Sequence, residues 1–547
     1  MPKAVFAGCA RSCARFLDAV LANVEALGST YDTFEVVIVE NDSTDDTRRL
    51  LREFAASRAN VRLIEADGLE RAHPKRTDRI AAARNLYMNA VREPRYAEFD
   101  DLVVLDFDDV NSKPIDPAAF AAARAWLWQE PDRRAVFANS VFVYYDIWAL
   151  RHPTWSPDDC WARVRVAQAK MSTREAVRRH VAMRQVPIAP TRAPIPVDSA
   201  FGGLAIYRRE ATPAATYAGL DATGEETCEH VAFNAAVKGA DGVMAIYPAL
   251  QNHAPTAHVI SSLGGVKTFV LEQDGARCRL VGPPDHPLQG FRAAHPLYDR
   301  RLPALAKIVS SYAPNGRFID VGANIGDSIA LARLAGAKMP AIAVEASLTY
   351  CKFLWANMQR APAFFGKTRL VWGYVGSTDI TGRVNLGAGT GSAAASGPPG
   401  SVESAPTVRL ATLTKNREVS LIKTDTDGFD QDIVAAELEF LRAKEPILWL
   451  EAHTLSAADE EKWRSLLRSM AAQWPNVILF DNFGFAIAAG ETDALTDHAV
   501  GLMTYGRRQR ERADYMPTLY YLDIALFPRR FGAVYEEFRQ TLAELSA

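Results

Sequence analysis

The chain has 547 residues, of which 48% are hydrophobic and 23% are charged. This length predicts roughly two to four domains, each large enough to bury its own core, and the composition is that of an ordinary globular protein. Lysine and arginine number 62 against 65 aspartates and glutamates, a formal net charge of −3. A chain so close to neutrality has no overall basic surface for a polyanion, so we expect no nucleic-acid partner, although a local basic cleft stays open.

Cysteine usage and the N-terminus bear on the cellular compartment. The six cysteines are scattered without the spacing of a metal site or a disulfide framework, which favours a reducing compartment. The apolar residues 4–7 are too few for a signal-peptide core, and no apolar run approaches the length of a membrane span. We expect a cytoplasmic protein, with a peripheral contact at the inner face of the membrane left open and no preference for an oligomeric state.

The first 110 residues alternate strands and helices. Strands are predicted at 4–7, 34–39, 61–64 and 102–105, with helical periodicity at 16–27 and around Leu50 and Phe54. The β-branched run at 34–39 suits a strand that is buried on both faces of a parallel sheet. This order predicts a doubly wound α/β domain that binds its ligands beyond the carboxyl ends of the strands.

The pattern loosens between residues 150 and 197. Tryptophans, a basic helix around 174–183 and a proline-rich tail predict an insertion on the acceptor side of a site. A hairpin follows at 266–281, with Asp274 and Gly275 as its turn. We place a domain boundary just before this hairpin, which gives domains 1–265 and 266–547.

The second half restarts the alternation. Strands are predicted at 317–320, 341–344, 369–372, 420–424, 447–450, 485–488 and 521–526. This order predicts a second doubly wound α/β domain. Within it, residues 387–406 are rich in Gly, Ser, Ala and Pro, and we expect them to form a mobile loop without packed structure.

Acidic residues follow two predicted strands of the first domain. Glu40, in the stretch Val-Glu-Asn-Asp-Ser-Thr-Asp, is placed to accept hydrogen bonds from a base or ribose. Asp106 and Asp108 are hard oxygen ligands that suit Mg²⁺ or Mn²⁺ and leave positions for phosphate oxygens. Arg79 and Arg84 precede that strand on a helix, where guanidinium groups can pair with a diphosphate. An isolated Asp-x-Asp, however, is more often a solvated loop.

The combined order of these features resembles the GT-A glycosyltransferases of the family 2 type, and it is most similar to the capsule-associated mannosyltransferase branch. The resemblance covers roughly residues 1–260 and implies a GT-A nucleotide-sugar fold with a nucleoside-diphosphate sugar as donor. The roles it implies are contact with the nucleoside for Glu40, with the diphosphate for Arg79 and Arg84, and with the nucleotide and metal for Asp106 and Asp108. The family usually has Asp at the position of Glu40, so the base of the donor stays open.

Two further residues are candidates in this half. Glu229 precedes an apolar helical stretch, where related enzymes carry an acid near the acceptor; it could deprotonate an acceptor hydroxyl or only cap the helix. His253 could be a third metal ligand, because GT-A folds often supply a late histidine, although a lone histidine is often structural. The acceptor implied by the resemblance is a glycan or a lipid-linked glycan.

The second domain carries a glycine-rich turn between a strand and a helix. In Asp-Val-Gly-Ala-Asn-Ile-Gly, Gly322 and Gly326 allow a tight turn and a close approach to a ligand, whose carboxylate the helix N-terminus favours. The G-x-x-x-G spacing differs from the G-x-G-x-x-G of dinucleotide folds, which argues against NAD. Glu345 ends the next strand, where an acid can bind ribose hydroxyls.

This turn and the stretch Lys-Thr-Asp-Thr-Asp-Gly-Phe-Asp, which begins at Lys423, resemble the FkbM-type methyltransferases. The family's signature has Glu where this chain has Asp427 and Asp430, whereas Lys423 and Asp425 match it. The resemblance covers about residues 300–530 and implies a Rossmann-like class I methyltransferase fold that O-methylates sugar hydroxyls or related small molecules. The residues implied in binding S-adenosylmethionine are Asp320, Gly322, Asn324, Gly326 and Glu345.

Methyl transfer to a hydroxyl needs alignment of the reactants and removal of a proton. Asp425 and Asp427 are candidate bases, with Lys423 near the acceptor oxygen, and His453 after the following strand is a competing base. A structural salt bridge between Lys423 and one of the acids is the alternative interpretation. Whether this half needs Mg²⁺ stays open.

Together the two halves predict a bifunctional glycosyltransferase and O-methyltransferase. The alternative is a sugar O-methyltransferase whose N-terminal half is a non-catalytic module that binds sugar or nucleotide. A third hypothesis, a nucleotidyltransferase, is disfavoured because no basic glycine-rich loop occurs near the N-terminus. The donor, the acceptor, the stereochemistry and the order of the two reactions stay open.

Overall fold

The chain forms two compact units, Met1–Gly264 and Gly265–Ala547. The computed structural model describes residues 2–253, 256–263, 265–273, 275–376, 382–387, 390–393, 402–512, 514 and 516–543. The division between the units lies one residue before the boundary placed by the sequence. The predicted α/β class, with a doubly wound sheet in each half, is confirmed.

The first unit is built on one eight-stranded sheet. Its strands are β1 (Lys3–Ala10), β2 (Thr33–Glu40), β3 (Val61–Glu65), β4 (Asp101–Leu105), β5 (Arg133–Ser140), β6 (Ile195–Val197), β7 (Leu204–Arg208) and β8 (Val243–Asn252). They lie in the order β3-β2-β1-β4-β7-β5-β8-β6. The first four in this order are parallel, whereas β7 is antiparallel to both of its neighbours. The carboxyl ends of β2 and β4, with Glu40 and Asp106, therefore share one edge of the sheet.

Helices cover both faces of this sheet. They are α1 (Ala14–Gly28), α2 (Thr47–Ala56), α3 (Leu69–Ala72), α4 (Arg76–Val91), α5 (Pro117–Gln129), α6 (Cys160–Ala167), α7 (Thr173–His180), α8 (Glu229–Lys238) and α9 (Thr256–Ile260). The side chains of β2 alternate between two cores, with Val37 packed in the core that includes α4 and Val36 in the core that includes α1 and α5. The prediction that this strand is buried on both faces is confirmed.

The predicted insertion at 150–197 contains α6 and α7 and ends in β6, which joins the edge of the main sheet by pairing with β8. Strands β5, β6, β7 and β8 have no counterpart among the strands predicted above. Their side chains pack into cores that form only when distant parts of the chain come together, so no local pattern marks them clearly.

The described residues of the second unit form another eight-stranded sheet and three smaller ones. Its strands are β9 (Lys267–Gln273), β10 (Ala276–Gly282), β11 (Arg317–Val321), β12 (Ala341–Glu345), β13 (Thr368–Trp372), β14 (Tyr374–Val375), β15 (Gly382–Gly387), β16 (Thr390–Ala393), β17 (Val402–Ala405), β18 (Thr407–Val408), β19 (Val419–Thr424), β20 (Ile447–Ala452), β21 (Asn476–Asp481), β22 (Ala486–Glu491) and β23 (Leu522–Phe527). The large sheet has the order β13-β12-β11-β19-β20-β23-β21-β22.

The first five strands of this order are parallel and follow the 3-2-1-4-5 arrangement of doubly wound nucleotide folds. The next strand, β23, is antiparallel to both of its neighbours, unlike the sixth parallel strand of dinucleotide-binding sheets. The helices of this unit are α10 (Leu288–Ala294), α11 (Arg301–Tyr312), α12 (Asp327–Leu334), α13 (Leu348–Arg360), α14 (Pro362–Phe365), α15 (Leu410–Thr414), α16 (Asp430–Ala436), α17 (Leu438–Lys444), α18 (Ala457–Met470), α19 (Thr492–Arg510) and α20 (Gly532–Gln540).

The prediction of a loop without regular structure at 387–406 is wrong for the part that the structure describes. Strands β15, β16 and β17 form a three-stranded antiparallel sheet there. A ladder of backbone hydrogen bonds needs no particular side chain, so a composition of small residues does not exclude it. Residues 388–389 and 394–401 lie outside the described residues, and so does the mobility predicted for them.

The predicted hairpin at 266–281 corresponds to β9 and β10, in which Gln273 pairs with Ala276. Gly275 adopts a positive φ of 80°, as expected for its place in the turn, while Asp274 lies outside the described residues. Over the described part of the chain, none of the helices combines the length and apolarity that crossing a membrane requires.

Candidate active sites

The acidic stretch after β2 is held mainly by its own neighbourhood. The Glu40 carboxylate is fully buried, accepts a hydrogen bond from the backbone N–H of Ser43 at 3.0 Å, and forms an ion pair with Arg48. Asp42 accepts hydrogen bonds from the backbone N–H groups of Gly68 and Glu70 at the start of α3. The stretch therefore orders the turns around the sheet edge, and Arg48 is a partner of Glu40 that the sequence did not indicate.

Arg84 is the central cation of the first site. It lies on α4, is 4% exposed, and donates from Nη2 to Asp106 Oδ1 at 2.9 Å and from Nε to Glu229 Oε1 at 3.1 Å. Its guanidinium also lies over the ring of Phe201, 5.0 Å from the centroid. Burial disfavours the charge, but Tyr87 and the two carboxylates raise the pKa of Arg84 well above its usual range. The structure thus places it between two acids of the protein, whereas the resemblance implied a contact with diphosphate.

Arg79 lies one and a half turns earlier on the same helix and is half-buried. Its Nη1 donates to the backbone oxygen of His73 at 3.3 Å. Between the two arginines, therefore, Arg79 is the one with access to solvent.

The predicted metal ligands lie on segments that pass near the end of β4. Asp108 accepts a hydrogen bond from the backbone N–H of Val110 at 3.1 Å, and the backbone N–H of His253 donates to the carbonyl of Val110 at 3.2 Å. Burial and the nearby Asp106 carboxylate raise the pKa of Asp108 to about 7. Within the described ranges, no three His, Cys, Asp or Glu side chains are arranged to hold a metal ion, so the predicted trio of Asp106, Asp108 and His253 is not assembled.

A divalent cation nevertheless fits the two aspartates. Asp106 Oδ2 and Asp108 Oδ2 accept no hydrogen bond from the described residues. Hard oxygen donors of this kind suit Mg²⁺ and Mn²⁺, and a cation shared with a diphosphate needs few protein ligands. Two carboxylates with free oxygens side by side are the chemistry of such a site.

Asp146 is a further acid of this site that the sequence analysis missed. Its carboxylate accepts hydrogen bonds from the backbone N–H groups of Gly202 at 3.1 Å and Ala149 at 3.3 Å. Burial, countered by these two donors, raises the pKa of Asp146 to about 6, and Asp106 and Glu229 contribute to the rise. No local pattern surrounds this residue; only the fold brings it to the other acids.

His230 lies beside Glu229 and is 2% exposed. Its ring stacks on Phe201 with the centroids 3.8 Å apart, and neither ring nitrogen has a hydrogen-bond partner among the described residues. Burial and the Arg84 charge hold the pKa of His230 well below its usual range. The ring is thus neutral and acts as a packing surface for the Arg84 cluster.

In the second unit the glycine-rich turn closes against the acid of β12. The backbone N–H of Asn324 donates to Glu345 Oε2 at 2.8 Å, and that of Ser347 donates to Oε1 at 2.7 Å. Gly322 has a φ of 78°, and a Cβ built there would lie 1.9 Å from the carbonyl oxygen of Asp425. Only glycine fits this position, where the turn meets the end of β19.

A cavity of about 280 Å³ opens at this edge of the sheet, at the small end of the range for ligand sites. Its lining includes these predicted residues: Gly322, Asn324, Glu345, Lys423, Asp425 and Asp427. It also includes residues that the sequence analysis missed: His286, Tyr298, Asp327, Tyr350, Glu451 and Tyr521. Of the latter, His286 pairs through Nε2 with Asn324 Oδ1 at 3.1 Å. The cavity therefore joins the predicted cofactor turn to the predicted catalytic residues.

Lys423 is the buried cation of this site. Its Nζ lies 3.2 Å from Asp320 Oδ1 and 3.1 Å from Asp425 Oδ2. Burial disfavours the ammonium, but Asp320 and Asp425 raise the pKa of Lys423 well above its usual range. The salt bridge considered as the alternative role of Lys423 is therefore present. Asp320, also predicted to bind the cofactor, is fully buried beneath the turn.

Two more acids stand beside Asp425. Pairing of Thr424 with Leu450 sets Asp425 next to Glu451, and Glu451 pairs in turn with Asp523 of β23. Burial and the Asp425 charge raise the pKa values of both Glu451 and Asp523 well above the usual range. Burial thus favours the protonated forms of both acids, and the Asp425 side chain interacts directly with that of Glu451.

Asp427 is the better placed of the two predicted bases. It lines the cavity with a φ of 53° and makes no ion pair with Lys423 within 4 Å, unlike Asp425. Burial and the charges of Asp425 and Asp430 raise the pKa of Asp427 to about 7. His453 is not part of the cavity lining among the described residues, and burial lowers its pKa to about 4. A group of that pKa is a weak base, which disfavours His453.

The chain thus holds two α/β units, each with acids gathered round a buried cation at the carboxyl edge of its parallel strands. Residues 4–240 match the model of the family described as cryptococcal mannosyltransferase 1. The first unit is therefore similar to a family of mannosyltransferases over most of its length. None of the curated proteins compared with the chain matches it.

Solved structures share parts of the chain path at low identity. TarS 1–349 from S. aureus is 12% identical, with 48% of this chain and 63% of that chain covered and a TM-score of 0.29. The mannosyltransferase PcManGT from Pyrobaculum calidifontis, in complex with GDP-Man and Mn²⁺, is 17% identical, with 46% and 56% covered and a TM-score of 0.27. The methyltransferase FkbM from Methylobacillus flagellatus KT is 14% identical, with 39% and 44% covered and a TM-score of 0.22. The chain spans less than two thirds of the length of each of these three structures.

Proposed function

We propose that the chain is a bifunctional enzyme that transfers a sugar from a nucleoside-diphosphate sugar to a glycan or lipid-linked acceptor and O-methylates a sugar hydroxyl with S-adenosylmethionine. The observation that carries the proposal is the acid cluster of each unit, gathered round Arg84 in the first and Lys423 in the second. Perturbed acids held together beyond strand ends are typical of catalytic sites. The family match over residues 4–240 supports the sugar-transfer half.

In the first unit, Asp106 and Asp108 would hold a divalent cation with their free oxygens, and that cation would offset the charge of the leaving diphosphate. Glu229 has Oε1 fixed by Arg84, so its Oε2 can accept the proton of an acceptor hydroxyl. The half-exposed Arg79 is the arginine that can reach a diphosphate. Arg84 then acts as a positioning residue for two acids.

In the second unit, the cavity between the glycine-rich turn and Glu345 is the site proposed for S-adenosylmethionine, which would supply the methyl group. Glu345 accepts backbone N–H groups with both oxygens, which holds its carboxylate at the wall of the cavity, where it would bind a ribose hydroxyl. Asp427 is the proposed base because its pKa of about 7 suits proton transfer near neutral pH. Lys423 holds Asp425 in place beside it.

The alternative, a methyltransferase with a non-catalytic first unit, is favoured by one observation. Arg84 is buried and bonded to Asp106, Glu229 and Tyr87, so its guanidinium is not available to a donor diphosphate. This alternative predicts that sugars or nucleotides bind to the first unit without turnover.

Slow hydrolysis of sugar nucleotides separates these possibilities without knowledge of the acceptor. The full-length protein, incubated with Mn²⁺ and a panel of nucleoside-diphosphate sugars, is expected to release the nucleoside diphosphate from at least one donor. Asp108→Asn should lose this activity by about 100-fold or more, because it removes one of the two cation ligands. Asp32→Asn, an exposed acid outside the site, is the matched control. Binding of a donor without any hydrolysis by the wild type would establish the non-catalytic module instead.

The methyltransferase half has its own test. S-adenosylhomocysteine should raise the melting temperature of the second unit, since a ligand at about 100 times its Kd adds about 2.7 kcal/mol of stability. NAD should not. Stabilisation by NAD and none by S-adenosylhomocysteine would overturn this half of the proposal and leave the sugar-transfer half untouched.

A further inference from the structure

The insertion of the first unit carries a basic surface. Between residues 163 and 184 the sequence has seven lysines and arginines and one acid, Glu175, although acids outnumber bases in the whole chain, 65 to 62. Helices α6 and α7 pack against each other across this stretch. The exposed side chains follow one another along it: Arg163, Arg165, Val166, Gln168, Ala169, Lys170, Ser172, Thr173, Arg174 and Arg179. We name these residues the basic face.

Only part of this charge is neutralised by protein groups. Arg163 and Arg184 share the single carboxylate of Asp158, at 2.5 and 2.8 Å, and Arg178 pairs with Glu175. By contrast, three exposed cations make no ion pair with the described residues: Arg165, Lys170 and Arg179. Burial is the largest cause that lowers the pKa of His180 below its usual value, and the positive charges of Arg184 and Arg179 lower it further. The basic face is thus a concentrated positive charge on a nearly neutral protein.

An apolar side chain stands among these cations. Val166 is 71% exposed, on the same short helix as Arg163 and Arg165. Exposed cations spread over two helices with an apolar side chain between them suit a flat anionic surface with an apolar interior. A soluble polyanion needs the cations alone and gains nothing from Val166.

Hydrogen bonds of Asp159 connect the basic face to the candidate sugar-transfer site. Asp159 caps α6 by accepting the backbone N–H groups of Trp161 and Ala162, both at 2.9 Å. The same carboxylate accepts from Trp148 at 3.0 Å and from Thr227 at 3.4 Å. Thr227 lies two residues before Glu229, so α6 begins next to the acids around Arg84.

We propose that the basic face binds the anionic head groups of a lipid bilayer. The proposal concerns binding and does not depend on sugar transfer. Each basic side chain near an anionic bilayer contributes about fivefold to binding, so loss of three should weaken it by about 100-fold. Screening shortens the reach of these charges, so binding should also fall as the salt concentration rises from about 0.1 M to about 0.5 M.

Cosedimentation of the full-length protein with vesicles tests this. Wild type should sediment with vesicles of phosphatidylglycerol and phosphatidylcholine and not with phosphatidylcholine alone. The variant Arg165→Gln/Lys170→Gln/Arg179→Gln should lose this binding by about 100-fold. The matched control Arg49→Gln/Arg52→Gln/Arg95→Gln removes three exposed arginines from another part of the same unit and should bind as the wild type does. Should the triple variant unfold, Lys170→Gln, between α6 and α7, should give a loss of about fivefold.

Three outcomes would overturn the proposal: no binding of wild type to the anionic vesicles, equal binding by wild type and by the variants of the basic face, or binding of heparin without binding of vesicles. The last would assign the surface to a soluble polyanion. Donor hydrolysis by the same proteins without vesicles reports separately on the proposed enzyme. Vesicle binding without any donor hydrolysis would reject sugar transfer and support the membrane-binding surface. Donor hydrolysis without vesicle binding would support sugar transfer and reject the membrane-binding surface.

Discussion

Replacement of Arg84 by methionine tests whether this buried cation holds the first site together. The guanidinium donates to both Asp106 and Glu229, and it is 4% exposed. Methionine keeps most of the volume and removes the charge. The change leaves two neighbouring carboxylates without their shared cation, close to a third acid, Asp146.

The expected cost follows from the burial of the partners. Removal of one member of a buried ion pair costs about 3–5 kcal/mol, and the lower end applies because the side chain of Asp106 is 26% exposed and keeps some water. We therefore expect a loss of about 3 kcal/mol in the first unit. Arg79→Met, at a half-buried site with one hydrogen bond to a carbonyl, should cost less than about 1 kcal/mol.

Hydrogen exchange measured by mass spectrometry gives the local stability of each unit separately in the full-length protein. Backbone amides of β1 and β4 should lose about 3 kcal/mol of protection in Arg84→Met, and those of β11 and β19 should not change. The double variant Arg84→Met/Glu229→Gln removes one stranded charge and should recover about 1–2 kcal/mol of the loss. Protection in Arg84→Met equal to that in Arg79→Met, or a double variant no more stable than the single one, would refute the role given to Arg84.

Three other changes probe single residues. Gly322→Ala should abolish stabilisation by S-adenosylhomocysteine, because its Cβ would lie 1.9 Å from the Asp425 carbonyl oxygen. Gly336 is also at positive φ but has open space around it, so Gly336→Ala should lose only about 1 kcal/mol of stability and should still be stabilised by the ligand. Equal ligand-induced shifts of the melting temperature in the two variants would contradict this. Methyl transfer should rise with pH as Asp427 loses its proton near pH 7, and Asp427→Asn should lower the rate by about 100-fold or more and flatten the profile. The pH dependence of the free energy of unfolding runs the other way. Because folding raises the pKa of Asp427, the stabilisation from its protonated form is complete below about pH 4 and is lost as the pH rises to about 7. In denaturant titrations over that range, the free energy of unfolding of Asp427→Asn should therefore increase relative to that of the wild type. His230→Phe keeps the stack on Phe201 and removes two buried nitrogens that have no hydrogen-bond partner in the described structure, Nε2 lying 3.8 Å from Glu229 Oε1, so the melting temperature should hold or rise; a lower melting temperature would show that a nitrogen is needed.

Much of each sheet could be predicted from the sequence because its central strands are continuous apolar runs. The run at 34–39 corresponds to β2 and the run at 102–105 to β4, with ends shifted by a residue or so. Acids at the carboxyl ends of parallel strands must lie at one edge of their own sheet, as Glu40 and Asp106 do in the first unit and Glu345 does in the second. Local periodicity and strand direction suffice for this, with no knowledge of long-range packing.

The partners of these acids could not be predicted in the same way. Arg84 meets Glu229, and Lys423 meets Asp320, across separations of about a hundred residues or more. Asp146, Glu451 and Asp523 stand in unremarkable sequence and become part of a site only through the fold. Small residues in β16 form a ladder that their composition argued against, because the ladder is made by the backbone.

The sequence by itself therefore determined the two α/β units, the strand ends that carry acids, and the glycine-rich turn between a strand and a helix, since each depends on residues close together in the chain. Only the tertiary structure decided that Arg84 and Lys423 are buried between carboxylates, that Asp427 rather than His453 faces the cavity, and which acids have a raised pKa. The physical reason is that burial and the distance between charges set the state of an ionisable group, and both are properties of the folded chain.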